Sequence, residues 1–578
     1  MRTNNKHIVI LALLLTVTVV GCEDFLSVEP RGTLSTEGIT TPENVDGLVT
    51  AAYAGIGNDE MIGPITSMWV YGSVRSDDAY KGGGGVTDVA DINFYEQYNL
   101  TQPQQGAGWM HPLTWKNYYK AISRANFAIR SLENLTEDEF PLKTTRIAEM
   151  RFLRGHSHFM LKMLFKKIPY IHEDYTNNEI LEVSNVEYTN DELWDIIAED
   201  FQFALDNLPP TQPEVGRANQ YTAAAYLAKV RLYQAYEQND QHEVVNINQQ
   251  KLNEVIDLTQ MVIGSMEYSL QPDFAENYLY GFDNGVESIF AIQFSIDDGT
   301  SLGRISTVTG LNYPHGAPQY GCCGFHQPSE NMVNAFRTDT DGLPLFNTFN
   351  DQSVEDYDID SVPVDPRLDH TVGIDGHPYK YQNDILYSNS WARDPGVYGF
   401  FSSMKEQQAA DSPGFKKEGP FIGTSVNIDI IRYADVLLMQ AEAYIETGQH
   451  QLAQPLINEV RNRAAASTGR TQLADGSDPS NYVISEYNSS NSVWTEEFAR
   501  QALRWERRLE FAMEGPRFFD LVRWGIAEET LNAYLADESL RRSFLNNAEF
   551  TAGRDEYYPI PQQEIDFTKG LYQQNPNY

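Results

Sequence analysis

The chain has 578 residues, and its 42 lysines and arginines against 81 aspartates and glutamates give it a formal charge of −39. So acidic a balance repels a phosphate backbone, which excludes general nucleic-acid binding, and it disfavours adsorption to anionic lipid. With 41% hydrophobic and 12% aromatic residues, the chain is also too apolar to be mainly disordered.

The first 21 residues have the pattern of a secretory signal. Arg2 and Lys6 precede an apolar run from Ile8 to Val20, which is shorter than the roughly 20 residues that span a bilayer. Gly21 and Cys22 follow directly and resemble the lipobox of bacterial lipoproteins, which implies removal of residues 1–21 and lipidation of Cys22. The alternative is an ordinary signal peptide with a chance cysteine. We expect membrane attachment only through the N-terminal lipid.

Helical periodicity frames a loop-rich middle. Apolar residues recur every three or four positions before residue 267, and again after residue 426. Helices are predicted over 41–55, 112–135, 142–166, 190–207, 221–238, 249–264, 428–447, 450–467 and 494–514. Residues 441–464 also resemble the centre of a tetratricopeptide repeat, in which small residues let two helices approach closely.

The predicted fold is mainly α, a tetratricopeptide-like helical-repeat scaffold with a loop-rich, mixed middle region that carries the ligand surface. We divide the chain into the signal peptide (1–21), an N-terminal helical part (22–267) with binding loops at 67–110, a loop-rich region (268–425) and a C-terminal helical part (426–578). After the signal peptide these parts form one integrated domain. Between 268 and 425 no helix longer than three turns is predicted.

The sequence offers little catalytic or metal-binding chemistry. It contains no phosphate-binding loop, no HExxH and no GxSxG. Asp356, Asp358 and Asp360 begin like a calcium loop but lack its later glycine and glutamate, so no cofactor is expected beyond a possible structural calcium. The adjacent Cys322 and Cys323 are buried thiols, bonded to another chain, or a vicinal disulfide that Gly321 and Gly324 would tolerate.

Four stretches carry a family resemblance. RWERRLEFAMEGPRFFDLVRWG (504–525) predicts two helices whose charges pair across a turn, and it closely resembles the hallmark of SusD-like (RagB/SusD) outer-membrane lipoproteins of Bacteroidetes. The segments 22–32, 432–449 and 557–578 agree with the same family. The resemblance implies a non-enzymatic protein on the outer face of the outer membrane. The resemblance also implies that the protein captures glycans and passes them to a SusC-like TonB-dependent transporter.

Candidate ligand-binding residues lie in three loop regions. Sugar rings present apolar C–H faces that aromatic planes bury, while polar side chains read the hydroxyl groups. The candidates are Trp69, Tyr71, Arg75, Asp78, Tyr80 and Trp109, then Tyr313, Tyr320 and Phe325, then Trp391. Trp109 and Tyr320 are the strongest, and packing in the core is the alternative for each aromatic. The glycine run Gly82–Gly85 predicts a flexible loop.

The predicted function is capture of a neutral polysaccharide or oligosaccharide for import through the transporter. The strongly acidic chain favours a neutral over an acidic glycan. One alternative is a peptide-capturing importer lid of the same family, since aromatic loops also suit peptides. The other is a surface glycoside hydrolase, because two suitably placed carboxylates are all that such an enzyme requires.

Overall fold

A computed structural model describes residues 36–57, 64–100, 110–299 and 304–578. It is mostly helical, which confirms the mainly α fold. No helix within those ranges is long and apolar enough to cross a membrane. Cys22 and Trp109 lie outside the described residues, so the lipidation of Cys22 and ligand contact by Trp109 stay predictions.

The N-terminal part contains the six predicted helices, close to their predicted limits, and three short helices that were not predicted, Thr36–Ile39, Ala90–Glu96 and Asn177–Ile180. In chain order these helices are α1 Thr36–Ile39, α2 Val45–Ile56, α3 Ala90–Glu96, α4 Met110–Glu133, α5 Lys143–Phe165, α6 Asn177–Ile180, α7 Asn190–Asn207, α8 Gln220–Ala235 and α9 Gln249–Ser265. A capping box fixes the start of α7, because the Thr189 side chain accepts from the Glu192 N–H and Glu192 accepts from the Thr189 N–H.

The middle region has short elements, as predicted. Its helices are α10 Glu330–Ala335, α11 Arg367–Thr371 and α12 Pro395–Tyr398. The C-terminal helices are α13 Tyr433–Glu446, α14 His450–Ala466, α15 Glu496–Glu510, α16 Pro516–Arg523, α17 Ala527–Glu538 and α18 Gln562–Phe567.

Strands in the described residues pair two by two. They are β1 Ala79–Gly82, β2 Tyr236–Gln238, β3 Val244–Ile247, β4 Ser288–Ile292, β5 Phe325–Pro328, β6 Pro363–Val364, β7 Val372–Gly373, β8 Pro378–Tyr379, β9 Gln382–Leu386, β10 Ser402–Ser403, β11 Phe415–Glu418, β12 Phe421–Thr424, β13 Ile428–Arg432 and β14 Asn481–Tyr482. Strand β13 corrects the predicted helix over 428–447, since it pairs antiparallel with β4 and the helix begins only at Tyr433.

The long helices stack in one continuous series. Helix α4 packs on α5, α5 on α7, α7 on α8 and α8 on α9; then α9 packs on α13, α13 on α14 and α14 on α15. Each helix therefore buries its apolar face mainly against its neighbours in the series, as in a helical-repeat solenoid. The middle region is inserted between α9 and α13.

The hallmark segment forms a corner that holds the first predicted loop. Arg507 of α15 pairs with Asp520 of α16 across the turn, at 2.8 Å between Nε and Oδ2, which confirms the predicted charge pairing. At the turn, Gly515 has φ +102° and touches the backbone of a π-helix over Trp69–Ser73. A Cβ at Gly72 would lie 1.8 Å from the Gly515 carbonyl oxygen. Both positions therefore require glycine.

Candidate functional site

Strand pairing joins the first two predicted loops. Strands β1 and β5 are antiparallel, with Gly82 opposite Phe325, and the Gly83 N–H donates to the Gly324 carbonyl at 2.7 Å. Gly82 has φ +75°, and a Cβ there would lie 2.4 Å from the Gly324 carbonyl oxygen. The glycine run thus permits a close backbone approach between two loops far apart in sequence.

Lys81 holds the glycine run in a defined turn. Its Nζ donates to the carbonyl oxygens of Gly82, Gly85 and Asp88 at 2.7–2.9 Å. Burial lowers the pKa of Lys81 to about 8. One ammonium group thus holds two carbonyl groups of the Gly82–Gly85 run, together with that of Asp88, in one arrangement, and flexibility of the loop stays a prediction.

Arg393 joins the third loop to the other two. One guanidinium nitrogen, Nη1, donates to the Cys323 carbonyl at 2.8 Å and lies 2.8 Å from Asp88 Oδ2. The same Asp88 oxygen accepts from the Gly84 N–H at 2.9 Å. We call the surface formed by Gly82–Asp88, Tyr313–Phe325 and Trp391–Phe401 the three-loop surface.

Several side chains remain accessible on the three-loop surface. The Arg393 and Asp88 side chains are 29% and 30% exposed, and His315 beside them is exposed. Phe400 is 42% exposed. The Tyr387 hydroxyl donates to the Phe400 carbonyl at 2.6 Å and so fixes the backbone of the third loop. Sequence reasoning missed Arg393, Asp88, His315 and Phe400, although all four lie within or beside the predicted loop regions, because only the tryptophan and tyrosine residues there, with a few others, were taken as candidates.

The predicted aromatics of the second and third loops form a small core below this surface. Tyr313 and Tyr320 are 1% and 0% exposed, with ring centroids 5.1 Å apart, and Trp391 is 9% exposed. The Gln408 N–H donates to the Tyr313 hydroxyl at 3.0 Å, and the Tyr320 hydroxyl donates to the Gln408 carbonyl at 3.2 Å. The structure does not support direct ligand contact by Tyr313 or Tyr320, because a region without long helices needs their rings for its own packing.

Trp69 and Tyr71 are also buried, so they correct the expectation of ligand contact. Both are 0% exposed. The Trp69 indole donates to the Val308 carbonyl at 3.2 Å, and the Tyr71 hydroxyl lies 2.6 Å from the Thr114 hydroxyl. The two rings fasten the π-helix to the middle region and to α4.

Arg75 and Asp78 fasten the same segment to the C-terminal half. Arg75 is fully buried, donates to the Asp555 carbonyl at 2.7 Å and lies 4.2 Å from the centre of the Tyr558 ring. Asp78 is 1% exposed and pairs with Arg508 at 3.1 Å. Each has a counter-ion inside the protein, Asp555 for Arg75 at 3.8 Å and Arg508 for Asp78, and both side chains are buried, so neither reaches the surface to read hydroxyl groups as predicted.

Tyr80 and Phe325 complete the buried set. The Tyr80 hydroxyl donates to the Glu538 carboxylate and accepts from the Glu330 N–H. Burial and the Glu538 charge raise the pKa of Tyr80 well above its ordinary value. The Phe325 ring is 2% exposed and lies 5.2 Å from Lys81 Nζ. Both side chains therefore support the loops from below, contrary to their predicted role in ligand contact.

Cys322 and Cys323 are bonded to each other in the structure. Gly321 and Gly324, on either side, have φ +76° and +74°, conformations that favour glycine. Cys322 is partly exposed on the three-loop surface, while Cys323 is buried. The vicinal disulfide, one of the three states open from sequence, therefore lies beside Arg393.

One carboxylate of the acidic loop at Asp356–Asp360 is bound by a histidine of the protein. Asp360 accepts from His377 Nε2 at 2.8 Å, and the second ring nitrogen of His377 bonds Asp369. Among the described residues, no three histidine, cysteine or acidic side chains form a group that could hold a metal ion. Binding of a structural calcium stays a prediction.

Two family models match the chain. Residues 286–578 match the model described as the SusD family, and residues 24–232 match one described as starch-binding and associating with the outer membrane. Among curated relatives, SusD-like protein P2 of Formosa agariphila is 25% identical over 578 residues, covering 98% of each chain. A SusD-like protein of Bacteroides ovatus is 23% identical, over 75% of this chain and 67% of the relative.

Solved structures share the fold. A SusD superfamily protein from Bacteroides vulgatus has a TM-score of 0.67 at 21% identity, covering 93% of this chain and 99% of that chain. Surface glycan-binding protein A from Bacteroides thetaiotaomicron, solved with laminarihexaose, has a TM-score of 0.65 at 20% identity, covering 93% and 100%. A laminarin-binding SusD-like protein has a TM-score of 0.64 at 22% identity with the same coverage.

Proposed function

The chain belongs to the SusD family, and on this premise we propose that it binds an oligosaccharide or polysaccharide on the three-loop surface. It does not cleave the glycan, and it delivers it to a SusC-like TonB-dependent transporter in the outer membrane. Cys22 carries the lipid that anchors the protein on the cell-surface side. Laminarin- and laminarihexaose-binding proteins that share the fold support the proposal of glycan binding.

The convergence of three loops at Arg393 carries the proposal. A guanidinium group and a carboxylate can donate to and accept from sugar hydroxyls, and the exposed Phe400 ring offers an apolar plane. The buried rings below hold the loops in place before ligand arrives, which lowers the ordering cost of binding. Partly exposed polar groups and an exposed aromatic ring on the same three loops suit a neutral glycan.

Affinity electrophoresis against a panel of polysaccharides tests the proposal. We expect one neutral glycan to retard residues 23–578 without being shortened, and Arg393→Ala and Phe400→Ala each to weaken that retardation about 3- to 30-fold. Arg500→Ala is the matched control, because Arg500 is 28% exposed and pairs with carboxylates on the helical scaffold. Phe567→Ala controls for loss of an exposed phenylalanine.

Three results would contradict the proposal. Retardation that Arg393→Ala and Phe400→Ala leave unchanged would place the glycan elsewhere. Shortening of the retarding glycan would indicate a hydrolase. Heat of binding with peptides, and no retardation by any polysaccharide, would favour the peptide-capturing alternative within the family.

A further inference from the structure

A cleft of about 130 Å³ lies between the N-terminal helices and the C-terminal helical part. None of its lining residues belongs to the three-loop surface. Helices α5 and α8, the strand β13 and the corner before α16 supply its walls. Its apolar lining includes Met68, Met160, Met163, Tyr233, Phe511 and Phe519. Glycan capture on the three-loop surface gives this cleft no role.

Five of the seven charged side chains that line the cleft pair with one another, and the other two, Glu406 and Asp429, accept hydrogen bonds from the hydroxyl groups of Ser67 and Ser288. Lys229 Nζ lies 3.3 Å from Asp435, which also pairs with Arg507 at 2.9 Å. Arg432 pairs with Glu514 at 3.1 Å. A charged ligand would have to compete with these internal pairs for its counter-ion, so the cleft favours a neutral molecule.

The lining also contains a threonine hydroxyl without a hydrogen-bond partner. The Thr66 side chain is 4% exposed, and its hydroxyl oxygen makes no hydrogen bond within the described protein. A buried hydroxyl without a partner costs free energy that a ligand's hydrogen bond would recover. It therefore identifies a position for one polar group on an otherwise apolar ligand.

We propose that this cleft binds a neutral single-ring aromatic molecule bearing one hydroxyl group, such as a phenol. The volume is close to the roughly 150 Å³ of an apolar cavity known to accept benzene. The flexible thioethers of Met68, Met160 and Met163 adapt to flat rings and make favourable sulfur–aromatic contacts. The phenol hydroxyl bonds Thr66, and the site acts independently of the glycan surface.

Methionine-methyl NMR of the soluble protein, residues 23–578, tests the proposal with phenol as the probe. We expect the methyl signals of Met68, Met160 and Met163 to shift saturably on titration, each assigned from a Met→Leu variant. Met332 and Met439 are buried outside the cleft, so their signals should stay in place. Benzoate, of similar size but charged, should leave all five signals unchanged.

The hydroxyl contact has its own control. Toluene should bind about 3- to 10-fold more weakly than phenol, and Thr66→Val, which keeps the shape of the side chain, should remove that difference. Absence of saturable shifts at the three methionines, equal shifts at all five, or equal binding of phenol and toluene to the unmodified protein would each overturn the proposal. The last comparison needs no variant, so it stands even if Thr66→Val does not fold.

Discussion

At the residue scale, Gly72 allows two segments that are distant in sequence to touch, because it has no side chain. Its α-carbon faces the Gly515 carbonyl, and that contact brings the π-helix against the corner between α15 and α16. The glycine in the EGPR string of the hallmark is thus explained by a backbone contact with residues more than 400 positions earlier. The sequence alone does not show that Gly72 and Gly515 contact each other.

Gly72→Ala should destabilise the protein by about 2–4 kcal/mol, because the added methyl group would overlap the Gly515 carbonyl and force the two backbones apart. Gly47→Ala is the control. Gly47 lies in α2, and a Cβ there would meet nothing within 4 Å, so alanine should be neutral or stabilising by up to about 1 kcal/mol. Denaturant unfolding measures both. Equal stability of the two variants would contradict the packing described here.

Glu538 should make stability fall as the pH rises. Burial raises the pKa of its carboxyl to about 7, so between about pH 4.5 and 7 the folded state holds a proton that the unfolded state has released. The free energy of unfolding of the unmodified protein should therefore decrease from pH 5 to pH 8. In Glu538→Gln this decrease should be smaller, by up to about 3 kcal/mol.

Urea unfolding at both pH values measures this difference. Glu497→Gln, at an exposed position of α15, should keep the pH dependence of the unmodified protein. The same pH dependence in Glu538→Gln and the unmodified protein would show that Glu538 is not held protonated by its surroundings.

At the scale of elements, the hallmark helices act as a clamp on the segment that leads into the three-loop surface. Arg508 of α15 pairs with Asp77 and Asp78, and Arg517 of α16 pairs with Asp77 at 2.8 Å. These contacts fix the start of β1, which in turn pairs with β5. The helices that identify the family therefore also support the surface proposed to bind glycan.

Arg508→Ala should destabilise the protein by about 3–5 kcal/mol, because it leaves the Asp78 carboxylate buried without its counter-ion. Arg500→Ala, which removes partly exposed ion pairs, should cost no more than about 1 kcal/mol. Thermal unfolding of the two variants side by side checks the difference. Similar melting temperatures would mean that the Arg508 pairs do not hold the segment.

Helix periodicity predicted the long helices well, since an apolar stripe at every third or fourth residue requires no knowledge of distant partners. It failed at residues 428–432, where apolar residues suit either a helix or a buried strand and only pairing with β4 decides. Periodicity also did not predict the π-helix at Trp69–Ser73. The backbone there packs against Gly515, which is more than 400 residues away in the sequence.

At the scale of the whole molecule, the sequence located the loops that converge on one surface better than it identified the side chains exposed there. All three predicted loop regions contribute to one surface, yet Tyr320, a leading candidate, is fully buried. Aromatic residues in a helix-poor region serve equally well as core or as ligand platform, and burial depends on contacts between loops far apart in sequence. Nothing in the sequence around Arg393 and Asp88 indicated a role in ligand binding, apart from their position in those loops.

Cys22→Ser should release the protein from the membrane, because a serine cannot carry the thioether-linked lipid. In a bacterium with an outer membrane, the full-length protein should sediment with membranes, and the Cys22→Ser variant should remain in the soluble fraction. Ser27→Ala serves as a neighbouring control and should still sediment. Membrane sedimentation of the Cys22→Ser variant would contradict lipid anchoring at this residue.

Hydrogen–deuterium exchange of residues 23–578, with and without the glycan that retards the protein most strongly, tests the central claim most directly. The account predicts slower exchange confined to Gly82–Asp88, Tyr313–Phe325 and Trp391–Phe401, since a ligand on the three-loop surface shields these backbones together. Protection of helices in the stacked series, with the three loops unchanged, would contradict the assignment of the glycan to this surface.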